Sequence, residues 1–282
     1  MTSVIKKYED LEFTDNFMFV KIMYNNPDLC QELLELILGR KISKIVFKDY
    51  EKTIEIRPDS KGIRLDVYTM DEEQRVYDID MQVDNYENLP HRTRYYHSMI
   101  DLELLEKGKD YSQINDSYVI FICKDRPAED YVNPVYTFRY QSVEKPQKYL
   151  EDGTWTVIVN AGCDTKKLSP DLRDFLNFVH SGAPSTDPDS LAAKLADAVS
   201  KARQNRIWRA DYMTYEQEMK HQFFLGKEEG RAEGLKEGLE KGLEKGRAEE
   251  RARADVAESR ADAAEREVAL LKEQLAKLTQ QK

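Results

Sequence analysis

Two stretches of the chain place carboxylates among apolar and β-branched neighbours. One reads Gly62-Ile63-Arg64-Leu65-Asp66-Val67-Tyr68, the other Tyr77-Asp78-Ile79-Asp80-Met81-Gln82. Aspartate is unfavourable in a strand, and an acid among apolar groups suffers desolvation unless it is paired or metal-bound. Strand alternation sends Asp78, Asp80 and Gln82 to one face and Ile79, Met81 and Val83 to the other. If Asp66 faces the same side of the adjoining strand, two carboxylates can clamp one Mg²⁺ and leave positions for a water and a phosphate oxygen. Gln82 can orient such a water, but its amide has no useful basicity. Taken alone, the same acids also fit the solvent face of an edge strand.

The elements that must position these groups can be read from periodicity. Residues 27–38 form the first well-marked helix, with Asn26 as N-cap, Pro27 in the first turn and Gly39 as the stop. Strands are expected at 45–47, 53–56, 63–69 and 76–83, the last two joined by a polar turn at 70–75 of hairpin length, which makes them antiparallel neighbours. A helix over 89–107 follows. The apolar run 118–123 then suits a buried central strand. Further strands at 135–142 and 155–160 and a helix at 169–180 complete an α/β sandwich, distinct from a Rossmann alternation.

Residues 1–180 are therefore expected to form the globular domain, and the Ser/Pro/Gly/Asp-rich stretch 181–190 a linker. A helical segment at 191–225 leads into 226–250, where Gly226, Gly230, Gly234, Gly238, Gly242 and Gly246 recur every fourth residue. Each glycine costs a helix about 0.8–1 kcal/mol against alanine, so the repeat marks a weak, hinge-like helix, a close helix contact or, more simply, a tolerated low-complexity expansion. In 251–282, Ala254, Ala257, Ala261, Ala264, Val268, Leu271, Leu275 and Leu278 follow heptad spacing, the pattern of a homodimeric coiled coil.

A net charge of -10 argues against strong indiscriminate binding to a polyanion. The candidates for a local basic surface are His91-Arg92-Thr93-Arg94 and Lys107-Gly108-Lys109. Arg92 and Tyr96 are four apart on one helix face, where arginine can grip a phosphate and tyrosine can stack or hydrogen-bond; Arg94 is the third candidate. His91 and His97 have no matching partner and are read as surface residues. Three widely separated cysteines and four histidines show neither a disulfide framework nor zinc-ligand spacing, so a metal must rest on carboxylates, which favours a hard ion such as Mg²⁺, or Mn²⁺. Residues 1–12 lack an apolar signal core, and a soluble cytoplasmic protein is expected.

Several motifs in order resemble one family: Lys61-Gly-Ile-Arg-Leu-Asp-Val-Tyr68, the Tyr77–Gln82 strand, Leu89-Pro-His-Arg-Thr-Arg-Tyr-Tyr-His-Ser-Met-Ile-Asp101, Ser117-Tyr-Val-Ile-Phe-Ile-Cys123 and the Glu-Gly tail. They are similar to the Rpn recombination-promoting nucleases, also called PD-(D/E)XK family transposases, over roughly residues 10–250. The resemblance implies a restriction-endonuclease-like mixed-sheet sandwich, with the helical coiled-coil tail appended, that makes Mg²⁺-dependent cuts in DNA. It makes Asp66 the first strand acid, Asp80 the acid usually present as Glu, and Gln82 the position where many related nucleases have Lys. Asp15, in Thr14-Asp-Asn-Phe-Met-Phe, matches the family's start motif and is a candidate third metal ligand or a helix N-cap; Glu32 and Glu35 are rivals. Tyr111 matches the family too, although a packed aromatic near a turn accounts for it. Two departures stand out: Asp80 is one methylene short, and Lys124-Asp-Arg follows Cys123 in place of an aromatic-containing segment. The alternative to an endonuclease is a weakened nuclease fold that binds DNA or protein, assembled by its coiled coil.

Overall fold

The strand that carries Asp80 lies in the middle of a mixed six-stranded sheet. In the computed structural model, which describes residues 6–46, 53–54, 63–84 and 87–279, that sheet is formed by β1 (Ile45–Val46), β4 (Val67–Asp71), β5 (Val76–Gln82), β6 (Ser117–Cys123), β7 (Val135–Phe138) and β8 (Thr154–Asn160). Their order is β1-β4-β5-β6-β8-β7, while β2 (Thr53–Ile54) and β3 (Ile63–Arg64) make a separate two-stranded ladder. β4 and β5 are antiparallel, as their polar turn predicts, and Gln74 in that turn takes a left-handed conformation with φ 63°. β5, β6 and β8 run parallel. A parallel neighbour requires a crossover, and α3 (Leu89–Leu104) supplies it between β5 and β6. Every residue of β6 is buried, which explains its unbroken apolar run.

The chain that the sequence assigns to one strand at 63–69 is two strands with a bend at Leu65–Asp66. β3 pairs with β2 on one side of the break and β4 with β5 on the other. Met99, Ile100 and Tyr96 of α3 join Tyr68, Met70, Val76, Val119 and Phe121 in a core on one face of the sheet. Asp78, Asp80 and Gln82 share that face by alternation from Val76.

Four helices add a second layer: α1 (Asn16–Asn25) packs on β4, α2 (Pro27–Leu38) on β1, and α4 (Pro170–Ser181) and α5 (Leu191–Arg203) against their neighbours. Gly39 ends α2 at φ 64°, donating its N–H to Glu35 O. Asn26 does not cap α2 through its side chain; its amide donates back to Ile22 O in α1, a helix the sequence reading missed. α3 stops at Leu104, short of 107, and β7 at Phe138, short of 142.

The compact unit runs to Met213 and does not end near 180. Leu191, Ala192, Leu195, Val199 and Ala202 of α5 are buried, Arg203 Nε donates to Leu11 O, and the Tyr212 ring packs tilted against Tyr8 and edge-on to Phe17. Residues 182–190 are thus a loop inside this unit, with Ser190 capping α5 by accepting from Ala193 N. The second unit, Thr214–Lys282, contains the rest of α6 (Arg206–Thr279), which is unbroken through all six spaced glycines. No helix among the described residues is long and apolar enough to cross a membrane. Phe47, Glu55, Ile56, Lys61 and Gly62 of the expected strands and motifs, and the heptad side chains of Leu275 and Leu278, lie outside the described residues.

Candidate active site

The bend at Leu65–Asp66 sets Asp66 against Asp80 where the β4–β5 ladder ends. The Asp66 N–H donates to Asp80 Oδ1 at 3.3 Å, and Met81 N–H donates to Asp66 Oδ2 at 3.3 Å. Asn16, in the first turn of α1, donates to the other Asp66 oxygen at 2.6 Å. Both acids are therefore oriented by backbone amides, and Asp66 also by a side chain of α1. Asp66 is 8% exposed and Asp80 2%.

Asp78 makes this a site of three acids. It is wholly buried, and neither carboxylate oxygen has a hydrogen-bond partner among the described residues. Burial raises its carboxyl well above the ordinary range, and the charges of Asp80 and Asp66 push it the same way against the pull of Arg92. Asp80 is raised too, by burial and then by Asp66, with Arg92, the Asp66 amide and the Tyr96 hydroxyl opposing. Like charges this close favour protonation unless a cation joins them.

Arg92, one turn into α3, brings a cation to these acids. Its Nη2 lies 3.3 Å from Asp80 Oδ2 and 3.2 Å from the Tyr96 hydroxyl, and its Nη1 donates to Gln82 Oε1 at 2.8 Å. The guanidinium also sits over the Phe121 ring at 4.7 Å. Burial pushes the Tyr96 phenol up to about 12, so it stays a neutral hydroxyl. Asp66, Asp80, Gln82, Arg92 and Tyr96 thus converge, the last two through the i,i+4 spacing read from the sequence.

Other candidates are engaged elsewhere. Asp15 accepts from Glu12 N at 2.7 Å and from Lys6 Nζ at 2.8 Å, so it closes the turn before α1 while its neighbour Asn16 reaches Asp66. Glu32 pairs with Lys194, and Glu35 accepts from Ile42 N and Lys41. Arg94 is exposed on another face of α3. His97 is buried, contrary to the surface position expected: its ring shares hydrogen bonds with Ser117 Oγ at 2.7 Å and Thr156 Oγ1 at 3.3 Å, and burial lowers its pKa to about 4. Tyr111, expected to be packed, is 82% exposed. Asp78 was visible in the sequence as the alternate acid of the strand; Asn16 carried no signal beyond its place beside Asp15.

Among the described residues no three His, Cys, Asp or Glu side chains form a ready-made metal cluster. Mg²⁺ does not require one, since it is bound through one or two carboxylates together with waters and substrate phosphates. The Asp66–Asp80 pair fits that mode: its donors are oxygens, both acids are buried, and Asp78 adds a buried carboxyl with no hydrogen-bond partner among the described residues.

A sequence model of the family described as PD-(D/E)XK nuclease family transposase matches residues 13–153, a span that begins before α1 and ends where β8 starts. No curated protein and no solved structure matches the chain.

Proposed function

The chain belongs to the PD-(D/E)XK nuclease family transposases, and from that membership we propose that it is a divalent-metal-dependent DNA endonuclease centred on Asp66 and Asp80. The family supports a nuclease-type function with DNA as substrate. The observation that carries the finer reading is the pair of buried carboxylates, held face to face by backbone amides beside the buried Asp78 carboxyl.

In this reading Asp66 and Asp80 hold Mg²⁺ or Mn²⁺, which when bound supplies Lewis-acid stabilisation to the phosphodiester under attack. Gln82 uses its Oε1 to orient the attacking water and takes no proton, because an amide is not a base at neutral pH. Arg92 leaves Asp80 for a non-bridging phosphate oxygen, an exchange of one anionic partner for another that its planar fork suits. Tyr96 keeps the guanidinium over the site. The C-terminal heptads support a homodimer in which two sites act on opposite strands, and the protein's setting is cytoplasmic.

A second reading has its own observation. Arg92 already bonds both Asp80 and Gln82, so a nuclease fold that grips DNA without cutting it would keep this arrangement. Supercoiled plasmid incubated with purified protein and Mg²⁺ or Mn²⁺ separates the two. Nicking that disappears in Asp66→Ala supports the enzyme; equal backgrounds in parent and variant leave only binding.

A further inference from the structure

α3 has two working faces. Arg92 and Tyr96 turn towards the carboxylates, while Arg94, Ser98 and Asp101, spaced by four and three, share a face that lines a separate cleft of about 530 Å³. The cleft's other walls come from Tyr131 and from the edge strand β7 and the residues after it. Its volume lies within the usual range of ligand pockets, about 300–1,000 Å³.

Its chemistry is that of a nucleotide site. Phe138, the last residue of β7, and Tyr140, two residues on, both line the cleft and are 44% and 57% exposed. Phe138 stacks on Tyr136 with ring centroids 6.2 Å apart, and the exposed parts of Phe138 and Tyr140, beside Tyr131, offer stacking surface. Thr154 and Thr156 bring hydroxyls from alternate positions of β8, and half-buried Asp101 brings an acceptor of the kind that pairs with the amino edge of a base. Arg94 stands two helical turns before Asp101, about 10 Å along the axis, so one helix face offers a base-edge acceptor and a phosphate cation. Arg139 also borders the cleft, but its guanidinium lies over Trp155 at 4.0 Å and pairs with Glu151.

We propose that this cleft binds an unpaired nucleotide of a DNA strand, with its base between the Phe138–Tyr140 wall and α3 and its phosphate towards Arg94. The proposal rests on the nuclease reading for the identity of the polymer. It adds a preference: DNA with a single-stranded or extruded base is held on one face of α3 while the neighbouring backbone meets Arg92 on the other.

The test is binding of a fluorescein-labelled single strand of about 12 nucleotides, and of its duplex, to full-length protein in EDTA. The single strand is expected to bind more tightly. Phe138→Ala with Tyr140→Ala should weaken it about tenfold or more and leave duplex affinity unchanged, Tyr140→Phe should retain affinity, and Arg94→Gln should lower the salt slope by about 0.7. Single-strand affinity untouched by the aromatic variants overturns the proposal. So does a cleft that takes free deoxynucleoside monophosphates while strands neither bind nor compete. Because EDTA removes cleavage from the readout, a protein that never nicks plasmid yet binds through Tyr140 refutes the enzyme and keeps this site. A nicking enzyme indifferent to Phe138 and Tyr140 does the reverse.

Discussion

Asp66 and Asp80 each lend a carboxylate oxygen to a backbone amide on the facing segment, Asp80 Oδ1 to Asp66 N and Asp66 Oδ2 to Met81 N. An asparagine at position 80 retains an oxygen acceptor for that amide but lacks the negative charge. Asp80→Asn should therefore fold, melt no lower than the parent in EDTA, and nick plasmid at least about 10²-fold more slowly. Calorimetry and a nicking time course check this; undiminished nicking removes Asp80 from the mechanism.

The pH dependence has a definite sign. Asp78 and Asp80 have folded pKa values above their unfolded ones, so the ion-free protein keeps its full stability from these groups below about pH 4 and loses it as pH rises through the raised values. Asp78→Asn holds the neutral form permanently. In EDTA near pH 8 it should gain about 1–3 kcal/mol, a melting shift of a few degrees, and the gain should shrink towards pH 5. A gain that stays constant between these pH values contradicts the assignment.

Asp80 is one methylene shorter than the glutamate usual in the family it resembles. If reach limits turnover, Asp80→Glu should nick several-fold faster at low Mg²⁺ and show a lower half-saturating Mg²⁺ concentration. Equal or slower nicking with normal folding would mean that the pocket is already fitted to the shorter acid.

Arg92 stands where substrate phosphate is expected. Arg92→Leu should lower nicking tenfold or more while cation binding, followed by the melting shift on adding Mn²⁺, is kept or strengthened, because a competitor for Asp80 has gone. In EDTA the variant should lose on the order of 1–3 kcal/mol, less than for a fully buried pair because the Arg92 side chain is 30% exposed. Loss of the Mn²⁺ shift would assign Arg92 to building the site instead.

Chain boundaries give the last prediction. Burial of an aliphatic side chain contributes about 1.5–3 kcal/mol, and α5 buries Leu191, Leu195 and Val199 against a domain stable by only about 5–15 kcal/mol. A fragment ending at 225 should melt cooperatively and be monomeric by light scattering; one ending at 190 should not fold. If full-length protein is itself monomeric at micromolar concentration, the heptads do not assemble it.

Much of the sheet was legible because β5 and β6 declare themselves: one alternates acid with apolar, the other is apolar throughout. The pair Asp66 and Asp80 followed from that alternation and from a turn of hairpin length. What escaped was tertiary. The break at Leu65–Asp66 lies within a continuous strand-like composition, and it depends on β3 leaving to pair with β2. α1 has apolar residues around much of its circumference, so it lacked the periodicity that exposed α2. α5 looked detachable because a Pro/Ser-rich loop precedes it, whereas its buried face closes the layer over α1 and α2. Asp15 and Asn16 are adjacent, and only the path of the backbone decides which side chain reaches Asp66.

The hairpin that joins the two acids also orders events in time. Asp66 and Asp80 are 14 residues apart, whereas β6 must cross from beyond α3 and β8 arrives later still. Short loops close in microseconds or less, and long-range parallel pairing is slow. Burial is the largest cause of the raised values, so the conflict between the acids grows only as the core closes over a hairpin that already exists, and it falls mainly on the unfolding limb. A divalent ion that quiets it would act chiefly by slowing unfolding, so metal supply would influence how long a folded molecule lasts.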